Sequence, residues 1–216
     1  MANNLVTNSA SNTNLLASNI NVGNDALMVA GTMNVNGVNQ INDEANINII
    51  SAKDTVVTKE KNDQLILAND IEVDGDITAG TFEHKTEKSY TETNAASVIT
   101  VGNNIDMDST NDISIIGSDV MAGGDVTLTA GNNVNILNSL DQSWNETSSK
   151  NGTSGLKFET TSNELSAKAG ITYTQEKNKN TSKTVSSSNI VASQGSINSS
   201  SGNDTNIVAS NLVASN

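Results

Sequence analysis

No cysteine occurs anywhere in this chain, which excludes a disulfide framework. That absence fits either a reducing compartment or a surface protein that stays unfolded while it is exported. Proline is absent as well, and so is arginine, because lysine supplies all 11 basic residues. Against 24 acidic residues this leaves a net charge of −13. Such a balance argues against nucleic acid as a partner, since phosphates demand a basic face. No apolar run approaches the roughly 18 residues of a membrane-spanning helix. The first residues, Met1-Ala2-Asn3-Asn4-Leu5-Val6, lack the charged and apolar regions of a signal peptide. Aromatic residues make up only 2% of the 216 residues. Ile, Val, Leu and Phe together reach about 23%, just above the composition of disordered chains. Disorder therefore stays open as an alternative at this point.

What the chain does have is repetition. The phrase Leu15-Leu16-Ala17-Ser18-Asn19-Ile20 returns as Ile115-Ile116-Gly117-Ser118-Asp119-Val120 and as Ile207-Val208-Ala209-Ser210-Asn211-Leu212. Ile66-Leu67-Ala68-Asn69-Asp70-Ile71, running on to Asp74-Gly75-Asp76, reads as a further copy. In the middle of the chain, Gly102-Asn103-Asn104-Ile105 matches Gly123-Gly124-Asp125-Val126, and Asn111-Asp112-Ile113 matches Asn132-Asn133-Val134. The offset is 21 residues throughout. Leu27-Met28-Val29, Ile47-Asn48-Ile49 and Leu65-Ile66-Leu67 repeat at offsets of 20 and 18. Within each unit the apolar residues alternate, as at Val126, Leu128, Val134 and Ile136. Period two in β-branched residues means short strands, and the Gly, Asn, Asp and Ser between them are turn formers. A unit of this size cannot bury its own apolar face, but stacked on like units it can. The sequence therefore predicts an all-β fold, a parallel β-helix in which each ~21-residue unit is one rung. A narrow solenoid interior takes aliphatic side chains and little else, which accounts for the scarcity of aromatics.

Two stretches break the period, and they set the expected organisation. Regular rungs are expected over 1–140, interrupted at about 81–97. An extended, hairpin-like insertion is expected over 141–187, and rungs return over 188–216. All five aromatic residues, Phe82, Tyr90, Trp144, Phe158 and Tyr173, fall in the two interruptions with His84 and most of the lysines. Insertions in repeat proteins often form the working face. These five aromatics are therefore the candidate contact surface, for a receptor, a glycan or another filament. The competing reading is that they pack onto the protein as a stiffening lid.

The rung Ala122-Gly123-Gly124-Asp125-Val126-Thr127-Leu128-Thr129-Ala130-Gly131-Asn132-Asn133-Val134-Asn135-Ile136 resembles the haemagglutinin repeat of filamentous haemagglutinin-like exoproteins. The segment from Trp144-Asn145-Glu146 through Ser154-Gly155-Leu156-Lys157-Phe158 to Ala169-Gly170-Ile171-Thr172-Tyr173 is similar to the interruption in the repeat region of contact-dependent growth inhibition proteins. The resemblance implies a right-handed β-helix, two-partner secretion through an outer-membrane transporter, and a place on the bacterial cell surface. It also implies a possible target, a receptor or the outer membrane of another cell, and a role in carrying a C-terminal toxin. The secretion domain and toxin domain of full members are not recognised here, so the chain is expected to be a fragment of a longer reading frame. A passenger segment of an autotransporter adhesin is the alternative.

Little in the sequence points to catalysis. His84 stands alone beside Glu83 and Glu87, too few ligands for a metal site. Asp74-Gly75-Asp76 lacks the spaced oxygens and closing Glu of a calcium loop and reads as a turn. Some parallel β-helices cleave polysaccharides, but that chemistry needs convergent carboxylates, whereas here the acids are spread one or two per rung. No catalytic, cofactor or metal residue is assigned. The sequons at Asn145, Asn151, Asn180, Asn198 and Asn203 carry no weight in so Asn-, Ser- and Thr-rich a chain.

Overall fold

The computed structural model describes residues 3–67, 70–71, 77–161 and 164–215. The chain divides into two units. The first comprises Met1–Asp54, Glu92–Asp141 and Lys183–Asn216; the second comprises Thr55–Thr91 and Gln142–Ser182.

The first unit is a parallel β-helix of five rungs, each with three short strands. Rung 1 holds β1 (Leu5–Ser9), β2 (Thr13–Leu16) and β3 (Asn19–Val22). Rung 2 opens with β4 (Ala26–Ala30), passes through a small hairpin, β5 (Thr32–Val35) and β6 (Val38–Ile41), and reaches β7 (Ile47–Ile50). The chain then makes its first long excursion through β8 (Ala52–Ile66), β9 (Asp70–Ile71) and β10 (Ile77–Ala95), and β11 (Val98–Val101) closes the rung. Rung 3 is uninterrupted: β12 (Ile105–Ser109), β13 (Ile113–Ile116) and β14 (Asp119–Ala122). Rung 4 has β15 (Val126–Ala130) and β16 (Val134–Leu137), then a second long excursion, β17 (Ser139–Thr161) and β18 (Glu164–Ser186), before β19 (Asn189–Ala192). Rung 5 is β20 (Ile197–Ser201), β21 (Thr205–Val208) and β22 (Asn211–Ala214). Three parallel sheets result, ordered β1-β4-β12-β15-β20, β2-β7-β13-β16-β21 and β3-β11-β14-β19-β22.

Strand alternation places one set of side chains inward, and stacking aligns like with like. Met28, Met107 and Leu128 share a row, as do Ile49, Ile115 and Ile136, and Ile99, Val120 and Ile190, all buried. Successive rungs are in register at 21 or 22 residues where no excursion intervenes, as in Leu5↔Ala26, Ile105↔Val126, Ile113↔Val134, Val98↔Asp119 and Asn189↔Asn211. Each inward aliphatic is thus sealed by the rungs on either side. Burying one such side chain contributes about 1.5–3 kcal/mol.

Polar ladders fix the turns. In one column the backbone N–H of Asn46, Asp112, Asn133 and Asp204 each donates to the side-chain Oδ1 one rung earlier, on Asn12, Asn46, Asp112 and Asn133 respectively. A second column runs from Asn4 through Asp25, Asn104 and Asp125 to Ser196. The turn acids and amides are therefore structural acceptors as well as solubilising charge. They satisfy donors that a turn would otherwise leave open.

The corner between the second and third strands carries the repeated phrase. In rungs 1, 3 and 5 it is a tight turn through a left-handed residue, Ala17 (φ 44°), Gly117 (φ 54°) and Ala209 (φ 45°), followed by a serine. In rungs 2 and 4 the left-handed residue is replaced by a long excursion and the serine is kept. Ser97 follows β10 and Ser188 follows β18. The serines form their own ladder: Ser18 N–H donates to Ser97 Oγ, Ser97 N–H to Ser118 Oγ, and Ser118 N–H to Ser188 Oγ, at 3.1–3.2 Å. Each of these hydroxyls in turn donates to a carbonyl, such as Ile50 O, Ile116 O or Leu137 O. Gly117 occupies a crowded position. A Cβ there would press on Ser51, Asn94 and Ser139, the roots of the two excursions.

Two features differ from the sequence reading. The first excursion begins at Ala52 rather than near residue 81. Leu65 and Ile66 therefore belong to β8, where they are exposed, and not to a rung. Their alternation imitates a rung because any β-strand has period two. Asp70 and Ile71 pair antiparallel with Thr78 and Ile77, so the phrase beginning at Ile66 is not a stacked unit; Asp74-Gly75-Asp76 lies outside the described residues. The small β5–β6 hairpin is an additional insertion. Asn36 (φ 54°) and Gly37 (φ 83°) form its two-residue turn, with positive φ at both positions as a type I′ turn requires.

Candidate contact surface

The second unit is a sheet of long strands in the order β18-β17-β10-β8. Cross-strand contacts show these neighbours to be antiparallel. Thr58 meets Ser89 and Asp63 meets His84, so numbers rise on β8 as they fall on β10. Tyr90 meets Trp144, Lys88 meets Glu146 and Gly80 meets Ser154, giving the same relation for β10 and β17. Ser166 meets Glu159 and Thr174 meets Asn151 across β17 and β18.

All five aromatics lie in this unit, and the geometry groups four of them into two pairs. In the first, Tyr90 and Trp144 are stacked with ring centroids 6.1 Å apart and planes 8° from parallel. Lys179 Nζ sits 4.9 Å from the Trp144 ring centre. Tyr90 comes from β10 and Lys179 from β18, the strands on either side of β17. The indole thus has an aromatic ring as its neighbour from one adjacent strand and a cation from the other. In the second pair, Phe82 and Tyr173 approach to 6.4 Å with planes tilted by 31°. The Phe82 ring lies over Gly152, where any Cβ would overlap it. A glycine in mid-strand has no side chain to pack, and a neighbouring aromatic covers the gap. Phe158 stands further along β17 and is half-buried.

Trp144 and Tyr90 form a cross-strand stack in which Trp144 is half-buried. Tyr173, at 54% exposure, and Phe82, at 38%, present open surface. The Tyr173 hydroxyl lies 3.2 Å from Gln175 Oε1, to which it donates.

Charge is distributed unevenly. The rung unit holds two lysines against twelve acids, whereas the sheet unit holds nine lysines against twelve acids. Glu146 lies between Lys177 (3.2 Å) and Lys88 (3.9 Å), with one carboxylate oxygen toward each. Lys168 pairs with Glu159 at 2.7 Å, and the hydrogen bond from that lysine pulls the Glu159 carboxyl below its usual range. The Glu87 carboxylate, through its hydrogen bond, raises the Lys85 ammonium above its ordinary value. His84 engages Asp63 and sits 3.4 Å from Thr86 Oγ1. Among the described residues no group of three His, Cys, Asp or Glu could hold a metal ion.

Gly155 and Gly170 open a depression of about 440 Å³, lined also by Leu156, Lys157, Lys168 and Thr172. Its described lining offers hydroxyl, ammonium and apolar groups. The outermost strands of the sheet, β8 and β18, are long and exposed. Lys168, Lys177, Lys179 and Lys183 lie along β18, a pattern that discourages indiscriminate edge pairing.

What the sequence did not reveal was the corner serine ladder, the Gly152 floor beneath Phe82 and the cation over Trp144. The serines were visible within the repeated phrase, but nothing in the phrase showed which hydroxyl serves which rung.

No curated protein and no solved structure matches the chain. A family model described as a hemagglutinin repeat matches residues 77–216, well over half of the chain. That span takes in rungs 3 to 5, β10 and the whole of the second excursion. With stacked parallel rungs and in-register ladders already in the structure, the match is decisive: the chain belongs to the hemagglutinin repeat family and is a filamentous haemagglutinin-like repeat region.

Proposed function

We propose that this segment is a non-catalytic stalk of a secreted cell-surface adhesin, with its contact surface on the sheet unit around Tyr173 and Phe82. The observation that carries this reading is the division of labour in the chain. The rungs hold the in-register aliphatic rows and polar ladders, while all five aromatics and nine of eleven lysines fall in the sheet unit. A hemagglutinin repeat region is at home in exoproteins exported by two-partner secretion, so an outer-membrane transporter is the expected export partner. Delivery of a toxin to a neighbouring cell is a finer version of the same role.

The rungs suit export. They contain no disulfide to form and their contacts are local from rung to rung, so folding can propagate along the chain as it emerges. The test is binding of the purified, labelled chain to bacterial cells, compared with F82A/Y173A and with W144F. Loss of binding in the first variant with retention in the second supports the contact surface. Equal binding by all three proteins removes it.

A further inference from the structure

We infer that Asn36 is a self-modifying site: the backbone nitrogen of Gly37 displaces its side-chain amide, and the tip of the β5–β6 hairpin changes from neutral to negatively charged. Glycine favours this reaction because it carries no side chain to shield its own nitrogen. The chain has two Asn-Gly steps, Asn36-Gly37 and Asn151-Gly152. The fold treats them in opposite ways. Asn36 and Gly37 are both exposed. No heavy atom stands within 4 Å of the place a Gly37 Cβ would take. β5 and β6 pair with each other in a sheet of only two strands. Such a hairpin is marginal in water, so its turn opens readily. Asn151-Gly152 lies inside β17, which is paired by β10 on one side and β18 on the other. Gly152 is buried, and the Phe82 ring lies over it. A backbone held on both sides cannot rotate to bring the Gly152 nitrogen onto the Asn151 carboxamide.

The closed turn restrains the reaction. Gly37 N–H donates to Asn34 Oδ1 at 3.0 Å, and Asn34 Nδ2 donates to Asn39 Oδ1 at 2.8 Å across the hairpin. A nitrogen whose proton is held in this way is a poor nucleophile. Asn36 is also in the left-handed conformation (φ 54°) and must rotate before its Cγ comes within reach. Asn34 is therefore a positioning residue, and its two hydrogen bonds latch the turn and set the rate.

When the turn opens, the Gly37 nitrogen attacks Asn36 Cγ and a C–N bond forms. The proton of that nitrogen passes to solvent, and the side-chain nitrogen leaves as ammonia. The product is a five-membered succinimide. Water then breaks one of its two carbonyl–nitrogen bonds, giving aspartate if the side-chain carbonyl is attacked and isoaspartate if the main-chain carbonyl is. The sum is one water consumed and one ammonia released, with no change of oxidation state. Position 36 thereby gains a carboxylate within 32–41, a stretch without a single charged residue. In the isoaspartate product the main chain is one carbon longer. A two-residue I′ turn has no room for that extra atom, so the hairpin loosens. The rungs keep their own ladders and stay folded.

The test is timed incubation of the full chain in mildly alkaline buffer, followed by digestion and peptide mass spectrometry, with isoaspartate read by enzymatic methyl transfer. A parallel sample in guanidinium chloride gives the rates without the fold. In the folded chain, position 36 should convert to aspartate and isoaspartate together, roughly tenfold or more faster than position 151, because opening a lone hairpin is far easier than opening an inner strand. In guanidinium chloride the two positions should convert at similar rates. N34A should speed conversion at position 36 severalfold and leave position 151 unchanged. Equal rates at 36 and 151 in the folded chain overturn the site, as does an intact amide at 36 once the denatured sample has converted. Aspartate without isoaspartate overturns the cyclic route. An unchanged rate in N34A overturns the latch.

Discussion

Removing the Ser118 hydroxyl tests whether the corner ladder stabilises the solenoid. Ser118 is fully buried in the middle rung. Its Oγ accepts the N–H of Ser97 at 3.2 Å and donates to Ile116 O at 2.9 Å. Alanine at this position leaves the buried Ser97 N–H without its side-chain acceptor. Orphaning one buried donor costs about 1–3 kcal/mol, beyond the loss of an ordinary hydrogen bond. The control is Ser210→Ala on rung 5. The Ser210 hydroxyl donates to Ile136 O and Val208 O, and among the described residues no backbone N–H donates to it. That substitution should cost about 0.5–1 kcal/mol, the net worth of a partly exposed hydrogen bond. Urea unfolding followed by circular dichroism separates the two. With a slope of about 1–3 kcal/mol per molar urea, S118A should lower the midpoint by about 1 M and S210A by clearly less. Amide exchange at Ser97 should accelerate in S118A alone. If S118A is no more costly than S210A, or if Ser97 exchange is unchanged, the serine ladder is not a source of stability and the phrase repeats for its turn only.

Other outcomes follow from the same structure. Gly123→Ala places a Cβ against the carbonyl oxygen of Gly102, where the column of stacked glycines leaves no room; about 1–3 kcal/mol or more should be lost in the same urea assay. Gly152→Ala should push the Phe82 ring off the sheet, changing the ring-current shifts of Tyr173 by NMR while the rungs keep their spectrum. Lys179→Met uncovers one face of Trp144, the chain's single tryptophan, so its fluorescence should become more accessible to a neutral quencher. Glu159 has its carboxyl lowered by Lys168, so the pair's contribution is present above the unfolded carboxylate range and fades as pH falls through the lowered value. Lys168→Met should return the Glu159 titration, read by carboxyl carbon shifts, toward the ordinary range.

Much of the fold was legible because its information is local and repeated. Alternation at Val126 and Leu128 and turns at Gly131-Asn132-Asn133 state the rung directly, and a 21-residue offset states the stacking. The Asn36-Gly37 hairpin was equally legible, as a two-residue turn signal flanked by valines, yet the solenoid period drew attention away from it. The start of the first excursion was not legible. Val56, Val57, Leu65 and Ile66 alternate on β8 as rung residues do, and period two cannot distinguish a strand that faces a core from one that faces water. The aromatics were found by their position outside the repeats, but their pairing depends on antiparallel register across three strands far apart in sequence.

The sequence by itself determined the rung: its length, its short alternating strands, its aliphatic interior and its turn chemistry all arise from contacts that recur about every 21 residues. Only the tertiary structure decided that the repeated phrase is one corner, that the excursions replace its left-handed residue in rungs 2 and 4, and that Trp144 is half-buried between Tyr90 and Lys179 while Tyr173 is open. Those outcomes rest on which strands become neighbours, and side chains as far apart in sequence as Phe82 and Tyr173 meet only once the chain has folded.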